Sequence, residues 1–199
     1  MILCCGEALI DMIPVEDGDG RLGWRAVPGG ALFNSAIALG RLGVPAGLLT
    51  GLSSDGFGRL LKRALTHSNA EYGAAIATDR KTALAFVHLD DGNARYTFYD
   101  EGTAAQQIRI DDIAPLADRV VALLFGGISL GSEPCASAME ALQVRDGGGR
   151  VVMLDPNVRP SFIADADAFR ARIERMMRRS HIVKVSDEDL AWLYPDEGS

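Results

Sequence analysis

Short apolar runs alternate along most of this chain with longer segments of helical periodicity, and glycine or polar turns separate them. The pattern predicts a first strand over Ile2–Cys5, running on through Gly6-Glu7-Ala8-Leu9-Ile10-Asp11 and so placing a carboxylate at the far end of an apolar stretch. A Gly/Asp-rich turn over 17–23 and a short strand over 24–27 lead into Pro28-Gly29-Gly30. Residues 31–42 then carry Leu32, Ala36, Leu39 and Leu42 at helical spacing, and Gly43 followed by Pro45 closes that helix. A strand over 46–52 follows, and Asp55 is placed to cap a helix over 57–65.

The character changes at 82–100, where two β-rich runs, 83–89 and 94–99, flank the hairpin turn Asp90-Asp91-Gly92-Asn93. In the second run Arg95, Thr97 and Tyr99 share one face and Ala94, Tyr96 and Phe98 the other, so each face carries an aromatic residue. Such a hairpin is expected to cover something on one side. Strand and helix then alternate again: strands over 120–125, 150–154 and 182–185, helices over 133–145, 166–178 and 187–194. This order implies an α/β domain with a doubly wound, mostly parallel sheet, into which a small antiparallel β lid is inserted from about 12–27 and 82–100. Such sheets collect ligands beyond the carboxyl ends of their strands.

Composition narrows the function. With 199 residues, 48% of them hydrophobic, the chain has material for one sizeable core. A net charge of -7 argues against a nucleic-acid surface, and Arg170, Arg172, Arg175, Arg178 and Arg179 read as the solvated face of one helix. No apolar run approaches the ~20 residues that cross a bilayer, so no membrane partner is expected. The start of the chain contains Glu7 and no basic segment, and reads as a buried strand and not a signal peptide. Cys4, Cys5 and Cys135 suit neither a disulfide framework nor, with His67, His88 and His181, a zinc site. A reducing cytoplasm is the expected compartment.

Three segments offer chemistry: Asp11, the Gly29-Gly30 turn with Asn34 one helical turn beyond, and Asp155-Pro156-Asn157-Val158-Arg159-Pro160. Together they supply acceptors, backbone donors and a cation suited to a polyhydroxylated molecule. Singly, Asp11 also suits a solvated strand end and the glycine pair a plain strand-to-helix turn. No strand is followed by Gly-x-Gly-x-x-Gly, which disfavours a dinucleotide oxidoreductase, and no Walker-type phosphate loop is present.

The run Pro28-Gly29-Gly30-Ala31-Leu32-Phe33-Asn34, closing at Leu39-Gly40-Arg41-Leu42-Gly43 and continuing in Asp55-Gly56-Phe57-Gly58, resembles the first signature of the ribokinase-like (PfkB) sugar kinases. Asp155-Pro156-Asn157-Val158-Arg159-Pro160 and Lys184-Val185-Ser186-Asp187-Glu188 follow in the family's order, and the tract from Tyr96 to Ala104 is similar to the lid strand of bacterial fructokinases. The resemblance implies a ribokinase-like fold and transfer of the γ-phosphate of ATP to a sugar hydroxyl. Fructose is the favoured sugar, with ribose and 2-keto-3-deoxygluconate as alternatives. It implies that Asp11, Gly29, Gly30 and Asn34 hold the sugar, that Phe98 packs against it, and that Arg159 lies near sugar or phosphate. Asn157, Lys184 and Asp187 fall to the nucleotide and Mg²⁺, although Lys184 and Asp187 replace the family's Asn and Glu. A monovalent cation and a homodimer through the lid are further implications.

The family's Gly-Ala-Gly-Asp element, source of its phosphate cradle and catalytic base, is not in the sequence. Residues 1–199 are therefore expected to be the first two-thirds of one domain, with the base beyond Ser199 and no turnover alone. A non-catalytic fragment that binds sugar or dimerises is the competing expectation.

Overall fold

The uncharged tetrapeptide Ile-Leu-Cys-Cys forms β1 (Ile2–Cys5), and its alternation divides the interior: Leu3 and Cys5 enter one apolar cluster, Cys4 the other. The computed structural model describes residues 1–16, 18–90 and 93–195, and the side chains of 89, 90 and 93–95 lie outside that description. After β1 come β2 (Leu9–Glu16), β3 (Leu22–Gly29), α1 (Ala31–Arg41), β4 (Ala46–Leu49), β5 (Gly51–Ser53) and α2 (Gly56–His67). The strands β6 (Ala70–Glu71), β7 (Ile76–Thr78), β8 (Ala83–Asp90), β9 (Asn93–Tyr99) and β10 (Ala122–Gly126) lead to α3 (Cys135–Asp146). The last elements are β11 (Val151–Asp155), α4 (Ala166–Met177), β12 (Ile182–Val183) and α5 (Asp187–Leu193).

Six strands in the order β12-β11-β10-β1-β4-β6 form the central sheet, and every neighbouring pair is parallel. From β1 the chain winds outward through β4 and β6, then returns to β10 on the other side and winds out through β11 and β12. The strand order thus reverses between β1 and β10, the place where a doubly wound sheet opens a crevice. Helices α1 and α2 cover one face through Leu32, Phe33, Leu61 and Leu65; α3 and α4 cover the other through Met139, Leu142, Phe169 and Ile173. Each such fully buried side chain stabilises the fold by about 1.5–3 kcal/mol.

The expected lid is a four-stranded sheet, β3-β2-β8-β9, built from two antiparallel hairpins. Their joint is parallel, with Leu9 opposite Ala83 and Asp11 opposite Ala85. Its first hairpin runs over Leu9–Glu16 and Leu22–Gly29, wider than the 12–27 of the sequence pattern, so Asp11 belongs to a lid strand and not to the end of a core strand. Asp17, Asp91 and Gly92 of the expected turns lie outside the described residues.

Three further expectations are corrected. The strand over 46–52 is broken at the fully buried Thr50, where the chain leaves the central sheet for a separate pair, β5 with β7. Close contact makes that departure possible: a Cβ on Gly51 would stand 1.9 Å from the Ala104 carbonyl. On α1 the inward stripe is Leu32, Phe33, Ala36, Ile37 and Gly40, whereas Leu42 is exposed at 77%. The arginines of α4 are not simply solvated. Arg175 bonds Glu140 at 2.7 and 2.9 Å, and Arg172, only 15% exposed, pairs with Glu133 and Glu140 and so ties α4 to α3. The two- and three-residue strands β6 and β7 had no periodicity to announce them.

All three cysteines are buried and free; burial pushes the Cys4 thiol up to about 12. Among the described residues no helix is long and apolar enough to cross a membrane.

Candidate functional site

At the carboxyl end of β1 the chain carries Glu7, a charged residue that is only 3% exposed. Its carboxylate accepts from the Ala31 N–H at 2.7 Å, the Ser129 hydroxyl at 3.1 Å and the Ser129 N–H at 3.4 Å. It thereby caps α1, whose own N-cap position is Gly30 and has no side chain. Burial raises the Glu7 pKa, and these bonds together with its own backbone N–H partly offset the effect. Two glycines accommodate the carboxylate. Gly30 has φ +109° and a Cβ there would lie 2.9 Å from the Glu7 carbonyl; Gly127 has φ +71° and a Cβ there would lie 2.3 Å from the carboxylate itself.

Asp11, on β2, is half-buried and faces the same opening. Desolvation raises its pKa, and among the described residues its carboxylate has no hydrogen-bond or ion partner. Gly29 makes room for it: a Cβ on the neighbouring strand would stand 2.1 Å from Asp11 Oδ2. Asn34, in the first turn of α1, is exposed and its amide is equally uncommitted, while its backbone N–H bonds the Gly30 carbonyl at 2.9 Å.

The remaining walls come from the lid and from β11. Phe98 on β9 meets Phe162 edge-on at 4.4 Å and stacks on Tyr96 at 5.7 Å. Beyond β11, Asn157 adopts φ +46°, and the Val158 N–H bonds Asp189 Oδ1 at 2.8 Å. Asp189 and Ser186 form the capping box of α5, so the start of that helix holds the 155–160 loop in place. Arg159 lies on this loop and spends one N–H on the Val158 carbonyl.

Asp11, Gly30, Asn34, Phe98, Asn157 and Arg159 line one cleft of about 320 Å³, together with Glu7, Leu9, Ala31, Tyr96 and Ile128. Its polar groups point in from three elements against an aromatic wall, the arrangement that fixes a small polar ligand. Gly29 shapes it from behind. Asn157 and Arg159 also border a second cleft of about 500 Å³, lined by Lys184, Ser186, Glu188 and Trp192. Lys184 pairs with Asp155 there at 3.1 Å. Asp187 is exposed at the first position of α5 and lines neither cleft.

Reading the sequence for site residues passed over Glu7, Tyr96 and Ile128. For Glu7 a signal existed, since a lone carboxylate inside an apolar run is buried only with dedicated partners. Ile128 offered none, because a distant loop brings it in.

Residues 1–198 match the family described as pfkB family carbohydrate kinase. The chain is 50% identical over 192 residues to a fructokinase of Rhizobium leguminosarum bv. trifolii, covering 96% of this chain and 59% of the relative. It superposes with a TM-score of 0.88 on the crystal structure of a fructokinase with bound ATP from Xylella fastidiosa, at 27% identity, over 100% of this chain and 61% of that one. A fructokinase of Vibrio cholerae O395 in a fructose, ADP and calcium ion bound form gives 0.82 at 26% identity, over 98% and 62%. The chain spans about three-fifths of the length of the curated relatives it matches. The six-stranded parallel sheet with its four-stranded lid is thus the fold of these sugar kinases, and the chain belongs to the pfkB family of carbohydrate kinases.

Proposed function

We propose that these residues form the sugar-binding part of an ATP-dependent sugar kinase, with fructose as the sugar. One observation carries the reading: a single cleft gathers an uncommitted carboxylate, Asp11, an uncommitted amide, Asn34, and an aromatic wall, Phe98 with Tyr96. Asp11 would accept from sugar hydroxyls. Asn34 would both donate and accept, and the aromatic faces would pack on the apolar side of the ring. Fructose is preferred to ribose and 2-keto-3-deoxygluconate because the Tyr96 to Ala104 tract and the 50% identical relative both favour it.

The adjoining cleft suits a metal–polyphosphate. Arg159 and Lys184 are cations at its wall, and Asp155 and Glu188 are nearby carboxylates. Mg²⁺ on phosphates needs only one or two protein carboxylates; Asn157 is a further candidate at this wall, whereas Asp187 would have to reach in from outside the lining. When bound, ATP supplies the transferred phosphoryl group and Mg²⁺ or another cation offsets its charge. Arg159, shared by both clefts, would meet the charge that develops on that group. Within residues 1–199 these groups would bind the sugar and orient the hydroxyl that receives the phosphoryl group.

The lid also supports a homodimer. On the face away from Asp11, Trp24 meets Phe86 at 4.9 Å and His88 at 5.7 Å, and Phe86 meets Tyr99, which is 61% exposed. Such a band suits contact with a second lid. Three buried, protonated thiols suit a reducing cytoplasm.

Titration calorimetry with fructose, ribose and 2-keto-3-deoxygluconate tests the reading. Binding of fructose in preference to the others supports it, and a folded chain with no heat for any sugar overturns it.

A further inference from the structure

The motif Asp55-Gly56-Phe57-Gly58 lies away from the sugar cleft, at the start of α2 where it meets the lid. There α2 and the residues leading into β8 border an open cleft of about 860 Å³, larger than either cleft described above. Its floor is apolar: Phe57 and Leu60 from the helix, Leu84 from the lid. Its rim carries Arg59, Arg63 and Lys81, all exposed. Arg59 gives one N–H to the Ser54 carbonyl at 3.0 Å. Arg63 and Lys81 have no side-chain hydrogen bond or ion pair among the described residues.

Asp55 is the one acid in this lining, and its oxygens are already taken by the Gly58 N–H at 2.7 Å, the Thr82 N–H at 2.9 Å and the Thr82 hydroxyl at 2.8 Å. Three cations thus stand over an apolar floor, in a protein whose net charge is -7. Structural arginines of this chain look different: Arg172, Arg175 and Arg119 are each paired with a glutamate. An apolar surface of this concavity, with unpaired cations only at its edge, matches a molecule that is apolar in body and anionic at one end.

We propose that this cleft is a second binding site, separate from the sugar cleft, and that its ligand is an amphipathic organic anion. The body would lie on Phe57, Leu60 and Leu84. The head group, a carboxylate, sulfonate or phosphate, would sit between Arg63 and Lys81 with Arg59 beside it.

Fluorescence titration of the 199-residue chain with anilinonaphthalene sulfonate and with its uncharged counterpart, phenylnaphthylamine, tests this. The sulfonate is expected to bind one equivalent, and the neutral compound more weakly. Because Arg63 and Lys81 are exposed, the double variant Arg63→Gln/Lys81→Gln should melt with the parent. It should bind the sulfonate about tenfold more weakly, since charge-assisted bonds are lost, and leave the neutral compound unaffected. Lys81→Glu alone should weaken the sulfonate by repulsion. Sulfonate affinity unchanged in both variants, or equal affinity for the two compounds, would refute an anion site. Sulfonate release on dimer formation, followed by sedimentation, would show instead that a second copy of the chain fills the cleft.

Discussion

The starts of α1 and α2 solve the same problem in opposite ways. Both helices leave free N–H groups at their first turn, and both lie under the lid. Helix α2 is capped locally, by Asp55 accepting from Gly58, and the same carboxylate reaches across to Thr82 and pins the lid. Helix α1 begins at a glycine, and its acceptor is the carboxylate of Glu7, buried beneath it and distant in sequence. A cap placed under the helix leaves the space in front of it open, and Asp11 and Asn34 face that space without partners among the described residues. A cap placed in front closes it. The contrast explains why the proposed sugar site is at α1, and why the cleft beside α2 is apolar with the one carboxylate of its lining already spent.

Breaking the buried cap should have the largest effect. Glu7→Ala leaves the Ala31 N–H and the Ser129 N–H without their acceptor in the interior, where each orphaned group costs about 1–3 kcal/mol, so urea denaturation should show a loss of about 3 kcal/mol; the Ser129 hydroxyl keeps the Gly126 carbonyl at 2.7 Å. Glu7→Gln, which keeps an acceptor, should lose less. Equal losses would show that filling volume, not capping, is what matters there. Removing the local, half-buried cap comes next: Asp55→Ala should cost about 2 kcal/mol, the upper end for an N-cap, because the bonds to Thr82 go as well.

The two caps should also respond oppositely to pH. Burial raises the Asp55 carboxyl, but bonds from Gly58, Thr82 and Ser53 outweigh it and hold the pKa below the ordinary 3.8. Its contribution is present above that value and is lost as pH falls through the lower folded pKa. Glu7 is raised above 4.5, so its protonated form is favoured in the fold, and stability declines as pH rises through its folded value. In acid melts, Asp55→Asn should therefore flatten the low-pH loss, and Glu7→Gln should remove a decline on the other side of 4.5. The same sign for both variants would contradict the contrast.

The smallest change in stability belongs to the ligand-facing carboxylate. Asp11 is desolvated and unpartnered, so Asp11→Asn should leave the melting transition within about 0.5 kcal/mol. Sugar affinity should nonetheless fall about tenfold or more with the charged acceptor gone.

The local cap was legible in the sequence, as Asp55 followed by a helical pattern, and the distant one was not. The parallel sheet was legible too, because its buried strands are short continuous apolar runs between turns. Strands β6 and β7 escaped notice since they are held by neighbours and not by their own pattern. The lid hairpin over 82–100 was marked by its turn residues, whereas the first hairpin began earlier than the pattern suggested, because Ala8, Leu9 and Ile10 resume β1's apolar run directly after the single charge of Glu7. That shift moved Asp11 from the end of a core strand to the inner face of the lid. Of the cleft's residues, Asp11, Gly30, Asn34, Phe98, Asn157 and Arg159 were found through ordered motifs. Glu7 was missed although its lone charge in an apolar run was a signal, Tyr96 although it opens a recognised tract, and Ile128 because tertiary contact alone brings it in.

Fructose titration of an isotope-labelled chain, followed by amide resonances, tests the central claim most directly. A sugar site at the start of α1 predicts saturable shifts at the Gly30 and Asn34 backbone amides and the Asn34 side-chain amide, with Gly58 and Thr82 unmoved. No shift at Gly30 or Asn34, or shifts confined to Gly58 and Thr82, would contradict it.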